Sequence, residues 1–249
     1  MTPILAVARR ELAAALESPT AWIATAAFVA ALHGLFFVVG YPIGQLQLPP
    51  FWAGGTASLA VAFAWIPPLL VGLAPALAMS AWAEERRSGT EELLLAWPIR
   101  SGEAVIAKFL AGWALLALLI VVAIAPLALV VASLGDLDWG ATLTGIAGAI
   151  VLGGACLSIG HLVSALAREQ LEAFLIGSLT LGALWALGLA IGNLPAPAAA
   201  LAHLFSPAAH YLDGAAVGLL DLRDGVYFAL LTAAALRVTY LAVEGRRSR

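Results

Sequence analysis

Four histidines are the side chains in this sequence best suited to bind a metal ion or haem, and they occur singly at positions His33, His161, His203 and His210. Metal-binding histidines on one helix commonly stand four residues apart. None of these does, and a Ser-Pro pair separates His203 from His210. We therefore expect no metal or haem site. His33 and His161 lie in apolar runs, where polar groups usually face the interior of a helix bundle, so we expect them to serve packing or a substrate path.

Charged side chains are concentrated in residues 82–108. This stretch carries nine of the 27 charged residues in the chain, between two strongly apolar runs: Glu84, Glu85, Arg86, Arg87, Glu91, Glu92, Arg100, Glu103 and Lys108. No Ser/His/Asp set or carboxylate pair has a spacing that indicates catalysis. No basic patch for nucleic acid is present either. We therefore expect a non-catalytic protein in which this segment recognises a partner.

Composition places the chain in a membrane. Its residues are 63% hydrophobic and 11% charged, and the mean hydropathy is +0.99. A soluble domain has about a quarter of its residues charged, so 249 residues could not hide this much apolar surface from water. The single cysteine, Cys156, excludes an internal disulfide. The composition predicts an all-α polytopic membrane protein.

Six apolar stretches reach the length of about 20 residues that a helix needs to cross a bilayer. None alternates with the two-residue period of a strand. The second contains Pro67, Pro68 and Pro75, which predict a kinked or tilted helix. The predicted spans are Ala21–Gly40, Ala57–Ala83, Ala104–Ser133, Ala141–Ala167, Leu171–Gly192 and Gly225–Val243.

Lysine and arginine predict the orientation of these spans. Ten of the twelve cationic residues precede the first span, lie in the second or fourth loop, or follow the last span. Of the other two, Arg223 falls on the opposite side and Arg237 lies inside the last span. We therefore expect both termini, and residues 84–103, to be cytoplasmic. We also expect one membrane domain over residues 1–249.

Three segments do not span. Residues 1–19 carry an apolar stripe beside Arg9 and Arg10, which predicts an interfacial helix, although a frayed tail is the alternative. Residues 193–224 contain two apolar runs of 10–14 residues split by Ser206-Pro207, which predict re-entrant or interfacial helices at the external face.

In residues 84–103, Ser88 and Glu91 fit a capping box for a short helix that ends before Pro98. Ser101 is a plausible cap for the third span. A solvated loop is the alternative for that segment.

The charged segment resembles the ABC-2 family of ABC transporter permeases. The matching residues are Glu85, Gly89, Thr90, Glu92, Leu94, Leu95, Pro98 and Lys108. The N-terminal helix followed by Ser18-Pro19 also looks like the family. Near the other end, the Ser-Pro pair and an R-D-x-x-Y-F sequence are similar to the branch of gliding-motility and nitrous-oxide-reductase-maturation permeases. One departure is Asp213, at a position before Gly214 that is commonly arginine.

This resemblance implies a fold and a mechanism. Such permeases have six transmembrane helices, form homo- or heterodimers in the bacterial inner membrane and sit on two cytoplasmic ATPase subunits. The helix between spans two and three would be the coupling helix, with its carboxylates binding basic residues of the ATPase and its leucines filling a groove. The implied coupling residues are Glu84, Glu85, Gly89, Thr90, Glu91, Glu92, Leu94, Leu95 and Pro98. The implied external lid contains Ser206, Pro207, Asp213, Gly214, Arg223, Asp224 and Tyr227.

The single lysine bears on where ATP binds. A P-loop needs a Gly-Lys-Ser/Thr sequence, whereas Lys108 stands between Ala107 and Phe109. We therefore expect no cofactor in this chain, with ATP and Mg²⁺ held by a separate ATPase. Two other functions remain open. One is a secondary transporter, for which we would expect intramembrane carboxylates. The other is a structural or force-transmitting membrane subunit.

Overall fold

A computed structural model describes residues 3–44, 46–89 and 100–247 of the chain. The described part is helical apart from its connections and one antiparallel bridge between Tyr41 and Leu48. The first half contains α1 (Pro3–Glu17), α2 (Pro19–Gly34, continued as a π-helix over Leu35–Val39), α3 (Phe51–Gly54), α4 (Ala60–Ala78) and α5 (Ala83–Ser88). The second half contains α6 (Ser101–Leu134), α7 (Trp139–Leu166), α8 (Gln170–Ala190, continued as a 3₁₀ turn over Ile191–Asn193), α9 (Ala196–Phe205), α10 (Pro207–Asp213), a 3₁₀ turn (Ala215–Val217) and α11 (Leu222–Arg247).

Six helices among the described residues are long and apolar enough to cross a membrane. Their bounds differ from the predicted spans by a few residues at most ends, and the prediction of an all-α, six-span protein is confirmed. The spans are Ala21–Val39, Ala60–Arg87, Ser101–Leu134, Trp139–Leu166, Gln170–Asn193 and Leu222–Arg246.

Helix α7 is the centre of the bundle. It packs against α4, α6, α8 and α11, and 67% of its most apolar stretch is buried. Small residues allow this close approach. A methyl group at Gly160 would stand 2.7 Å from the Cβ of Ala78 on α4, so the two backbones meet where neither residue has a bulky side chain. Because lipid tails are as apolar as leucine, such close packing is a main source of stability between membrane helices.

The second span is interrupted. The three prolines lie inside α4, and the helix ends three residues after Pro75; a turn over residues 79–82 then separates α4 from α5. The span is therefore interrupted by a turn after the prolines, and the kink or tilt predicted from the prolines themselves stays a prediction.

Residues 3–17 form the helix α1, which lies along α6. Ala8 is buried in this contact, and Leu12, Ala15 and Leu16 pack against the main core. Ser18 separates α1 from α2. Pro19 follows it at the first position of α2, where the missing N–H of proline costs nothing.

The predicted cap of α6 was wrong by one position. Arg100, not Ser101, precedes the first turn of α6, and the Glu103 carboxylate accepts the Arg100 N–H at 3.1 Å. Ser88 is the last residue of α5, and the short helix that it was predicted to cap lies outside the described residues. Gly89 ends α5 with φ of +69°, a left-handed conformation that glycine adopts without a Cβ clash.

Candidate functional site

The charged segment is described up to Gly89 and again from Arg100. Within this part, residues 79–87 form a junction at which α5 contacts α6, α7 and α8. The remaining predicted coupling residues lie outside the described residues: Thr90, Glu91, Glu92, Leu94, Leu95 and Pro98.

The turn between α4 and α5 is closed by a hydroxyl from α7. Ser164 Oγ donates to the Met79 carbonyl at 3.0 Å and accepts the N–H groups of Trp82 and Ala83 at 3.2 and 3.3 Å. Ser164, Trp82 and Ala83 are all buried. A broken helix in an apolar bundle leaves backbone groups without partners, and here one side chain satisfies three of them.

Arg86 caps the far end of α7. Its Nη1 donates to the Ala167 carbonyl at 2.5 Å and its Nη2 to the Ala165 carbonyl at 2.8 Å. Arg246, from α11, also donates to the Ala165 carbonyl. The last carbonyls of a helix have no partner within it and carry the negative end of the helix dipole. Two guanidinium groups from separate elements therefore hold this end of α7.

Glu84 connects α5 to the start of α8. Its carboxylate accepts both Nε and Nη2 of Arg87, at 3.1 and 3.0 Å, in the two-pronged geometry that suits arginine. Gln170, the first residue of α8, donates its side-chain amide to the same carboxylate. Arg87 is 65% exposed, so this pair lies at the surface of the junction.

Glu85 forms the buried ion pair of the junction. Its Oε1 lies 2.7 Å from Nζ of Lys108 on α6, and the Lys108 side chain is only 5% exposed. Glu11 of α1 approaches the same ammonium group at 3.8 Å, and the ammonium group lies 5.2 Å from the ring centroid of Trp82. A buried ammonium group is costly unless it is paired, so α1, α5 and α6 are held together around this one charge.

These contacts bear on the predicted coupling residues. Glu84 binds the side chains of Arg87 and Gln170, and Glu85 binds that of Lys108. Gly89 ends α5. Coupling to an ATPase stays a prediction for all nine residues. Contacts of three consecutive residues with three different helices could not be predicted from the sequence, since their partners lie up to 86 residues away.

A second polar group lies at the opposite end of α7, in the 193–224 segment. We call His203, His210, Asp213 and Asp224 the histidine–aspartate cluster. Nε2 of His203 lies 3.1 Å from Asp213, and Nδ1 of His210 lies 2.8 Å from Asp224. The two imidazole rings meet with centroids 4.6 Å apart. The cluster lines a cavity of about 430 Å³.

Several predicted lid residues belong to this cluster or support it. Tyr227 stacks on the His210 ring at 3.9 Å. Gly214 lets Asp224 approach, because a Cβ there would stand 2.6 Å from the Asp224 carboxylate. Asp213 pairs with His203.

The other predicted lid residues have separate contacts. Ser206 is buried and caps α10, accepting the Ala209 N–H at 3.3 Å. Pro207 occupies the first position of that helix. The Arg223 N–H is bound by Asp221, at the start of α11. The structure thus brings together Asp213, Gly214, Asp224 and Tyr227, but not Ser206, Pro207 or Arg223.

The two histidines of the cluster were not predicted as a pair. The Ser-Pro break suggested that they would diverge, but α9 and α10 fold back so that their rings touch. Their shared feature in the sequence is an aspartate 10 or 14 residues further on. Within residues 3–44, 46–89 and 100–247, no three His, Cys, Asp or Glu side chains are grouped so that they could hold a metal ion.

Tyr211 anchors this segment to α7. It is fully buried, and its hydroxyl lies 3.4 Å from the Gly145 carbonyl. Burial raises the pKa of Tyr211 well above its ordinary value, so the phenol stays neutral and can donate.

The remaining two histidines lie inside the bundle, where Nε2 of His33 is 2.8 Å from the Ala123 carbonyl and His161 is buried.

Six apolar helices packed around α7, with charged groups gathered at its two ends, define a polytopic α-helical membrane protein. Residues 5–214 match the family model described as ABC-2 family transporter protein. The match covers most of the chain, so the protein belongs to the ABC-2 family of transporter proteins. No curated protein matches the chain.

Proposed function

We propose that this chain is the membrane-spanning subunit of an ABC transporter, and that it couples ATP hydrolysis by a separate ATPase to export or translocation across the bacterial inner membrane. The termini and residues 84–103 would be cytoplasmic. ATP and Mg²⁺ would bind to the ATPase. The likeness of the C-terminal part to gliding-motility and nitrous-oxide-reductase-maturation permeases remains part of this proposal.

The observation that carries the proposal is the set of contacts made by three consecutive residues. Glu84 binds α8 through Gln170, Glu85 binds α6 through Lys108, and Arg86 binds the end of α7. These residues directly precede the segment proposed to dock on the ATPase. A displacement of that segment would therefore act on three membrane helices at once, as a switching motion requires.

The docking contacts themselves are assigned to residues 90–98. Leu94 and Leu95 would fill a groove of the ATPase, and Glu91 and Glu92 would bind its basic residues. A short helix that places leucines in an apolar groove is a recurring mode of recognition. Since Glu84 and Glu85 have partners in this chain, they would support the docking segment and Glu91 and Glu92 would make the charged contacts.

Three spans leave an apolar surface for a second permease subunit to cover. Only 11% of the most apolar stretch of α8 is buried, and only 22% of that of the first and of the last span, against 67% for α7. Leu171, Leu175 and Leu179 of α8 are each more than half exposed. An apolar face of this kind suits contact with either lipid or another subunit, and we assign it to a homo- or heterodimer.

Co-purification tests the proposal directly. The tagged chain, extracted in mild detergent, should carry a stoichiometric P-loop ATPase identified by mass spectrometry. Leu94→Asp/Leu95→Asp should lose the ATPase while the membrane protein stays folded. The matched control is Leu219→Asp/Leu220→Asp, at two exposed neighbouring positions outside the membrane-spanning helices.

Recovery of a stable wild-type protein with no ATPase would overturn the proposal. A structural subunit or a secondary transporter would then explain the family membership better. ATPase activity that rises on addition of a particular molecule would favour transport over a structural role.

A further inference from the structure

An apolar groove opens between α1 and α6. Its volume is about 520 Å³. One wall is a stripe of α1 and the other a stripe of α6, with Ile150 of α7 at the base. The lining residues are Leu5, Ala8, Arg9, Leu12, Leu110, Ala111, Trp113, Ala114, Ala117 and Ile150.

Alanines create this space. On α1, the lining residues recur at positions 5, 8, 9 and 12, and on α6 at positions 110, 111, 113, 114 and 117, which is one face of each helix. Ala111, Ala114 and Ala117 stand on the α6 face, and Ala8 stands opposite them. Side chains this short leave an apolar channel between the two helices.

Arg9 is the only charged residue that lines the groove among the described residues. Its side chain is exposed, and it forms no ion pair with any residue in 3–44, 46–89 or 100–247. By contrast, the adjacent Arg10 lies outside the groove and has a carboxylate 3.9 Å away, on Glu11. The groove therefore combines an apolar channel with a free positive charge.

We propose that this groove binds an anionic phospholipid, with an acyl chain between α1 and α6 and the phosphate on Arg9. The occupant follows from the surroundings, because α1 lies against α6, a helix long and apolar enough to cross a membrane. An apolar channel suits a hydrocarbon chain, and an unpaired guanidinium binds phosphate in a two-pronged geometry. Anionic headgroups attract basic residues near the membrane surface.

This site lies apart from the segment proposed to dock on the ATPase, but it adjoins the junction. Glu11 lies two residues from Arg9 and approaches the buried ammonium group of Lys108. A lipid held between α1 and α6 would stabilise the contact that brings Glu11 to Lys108. The bound lipid thereby becomes part of the support for residues 84–86.

Lipid retention tests the site. The purified protein, exchanged into detergent containing equal amounts of phosphatidylglycerol and phosphatidylcholine, would be examined by native mass spectrometry. We expect the wild type to retain phosphatidylglycerol preferentially. Arg9→Gln should reduce that preference about fivefold, the effect expected of one basic residue at an anionic surface. Arg10→Gln, the matched control, should keep it.

A second variant tests the channel separately from the charge. Ala114 is exposed within the groove, so Ala114→Phe should fill the space without disturbing the core and should release both lipids. Ala234→Phe, at an exposed position on α11, should retain them. Equal retention of the two lipids by the wild type, or unchanged phosphatidylglycerol retention in both Arg9→Gln and Ala114→Phe, would overturn the proposal. Neither result would affect recovery of an ATPase.

Discussion

The ammonium group of Lys108 lies 2.7 Å from the carboxylate of Glu85, and this ion pair joins the only lysine of the chain to the first residues of its charged segment. Glu11 and Trp82 complete the surroundings of the ammonium group. The pair joins α5 to α6, and α1 lies beside it. All three helices therefore depend on one buried charge.

Removing one member of this pair should destabilise the protein strongly. Glu85→Gln leaves the buried ammonium group with only the more distant Glu11, and we expect the free energy of unfolding to fall by about 3 kcal/mol. Thermal unfolding in detergent measures this. Glu84→Gln, a matched change at a more exposed carboxylate, should cost clearly less.

The double variant Glu85→Leu/Lys108→Met separates charge from packing. It replaces a buried ion pair by apolar groups of similar size, which is often neutral or stabilising. It should recover most of the stability lost in Glu85→Gln. Failure of the double variant to recover stability would show that the loss in Glu85→Gln does not come from an uncompensated buried charge.

The end of α7 should need the planar guanidinium group of Arg86, and not only its positive charge. Arg86→Ala removes charged hydrogen bonds to the last carbonyls of α7, each of which contributes roughly 1.5–3 kcal/mol. Arg86→Lys should rescue little, because an ammonium group does not reproduce a fork that spans two carbonyls. Amide hydrogen exchange at the end of α7 is the measurement, and faster exchange should be confined to that end. Equal protection in Arg86→Lys and the wild type would contradict this.

Gly214 should be intolerant of a methyl group, whereas Gly225 should accept one. In Gly214→Ala the new Cβ would stand 2.6 Å from the Asp224 carboxylate, which must move and release His210. Gly225 lies inside α11 with nothing within 4 Å of a new Cβ, so Gly225→Ala should stabilise by about 0.5–1 kcal/mol. Imidazole NMR signals of His210, compared in the two variants, report the loss of its hydrogen bond. An unchanged His210 signal in Gly214→Ala would contradict the close approach.

The membrane helices could be predicted because their signal is local. A run of apolar residues defines a span without knowledge of its neighbours, and the bounds of α6, α7 and α8 needed only small corrections. The cap of α6 was placed at Ser101 because serine is a preferred cap, but the Glu103 carboxylate reaches the Arg100 N–H whatever side chain position 100 carries.

The sites were harder to predict because their contacts are distant in sequence. Glu85 and Lys108 were both noted as charged, but their pairing depends on how α5 and α6 lie side by side. His203 and His210 were treated separately because a proline breaks the helix between them. Only the folding of α9 and α10 over the end of α7 shows that their rings meet.

Ser164 has a mechanical consequence for the turn between α4 and α5. In most helix breaks the freed backbone groups are bound locally or by water, and the break acts as a hinge. Here they are bound by one buried hydroxyl on α7. Flexing the turn would strand three polar groups in an apolar interior. The two halves of the second span therefore cannot bend independently of α7, because the break fastens both α4 and α5 to that helix.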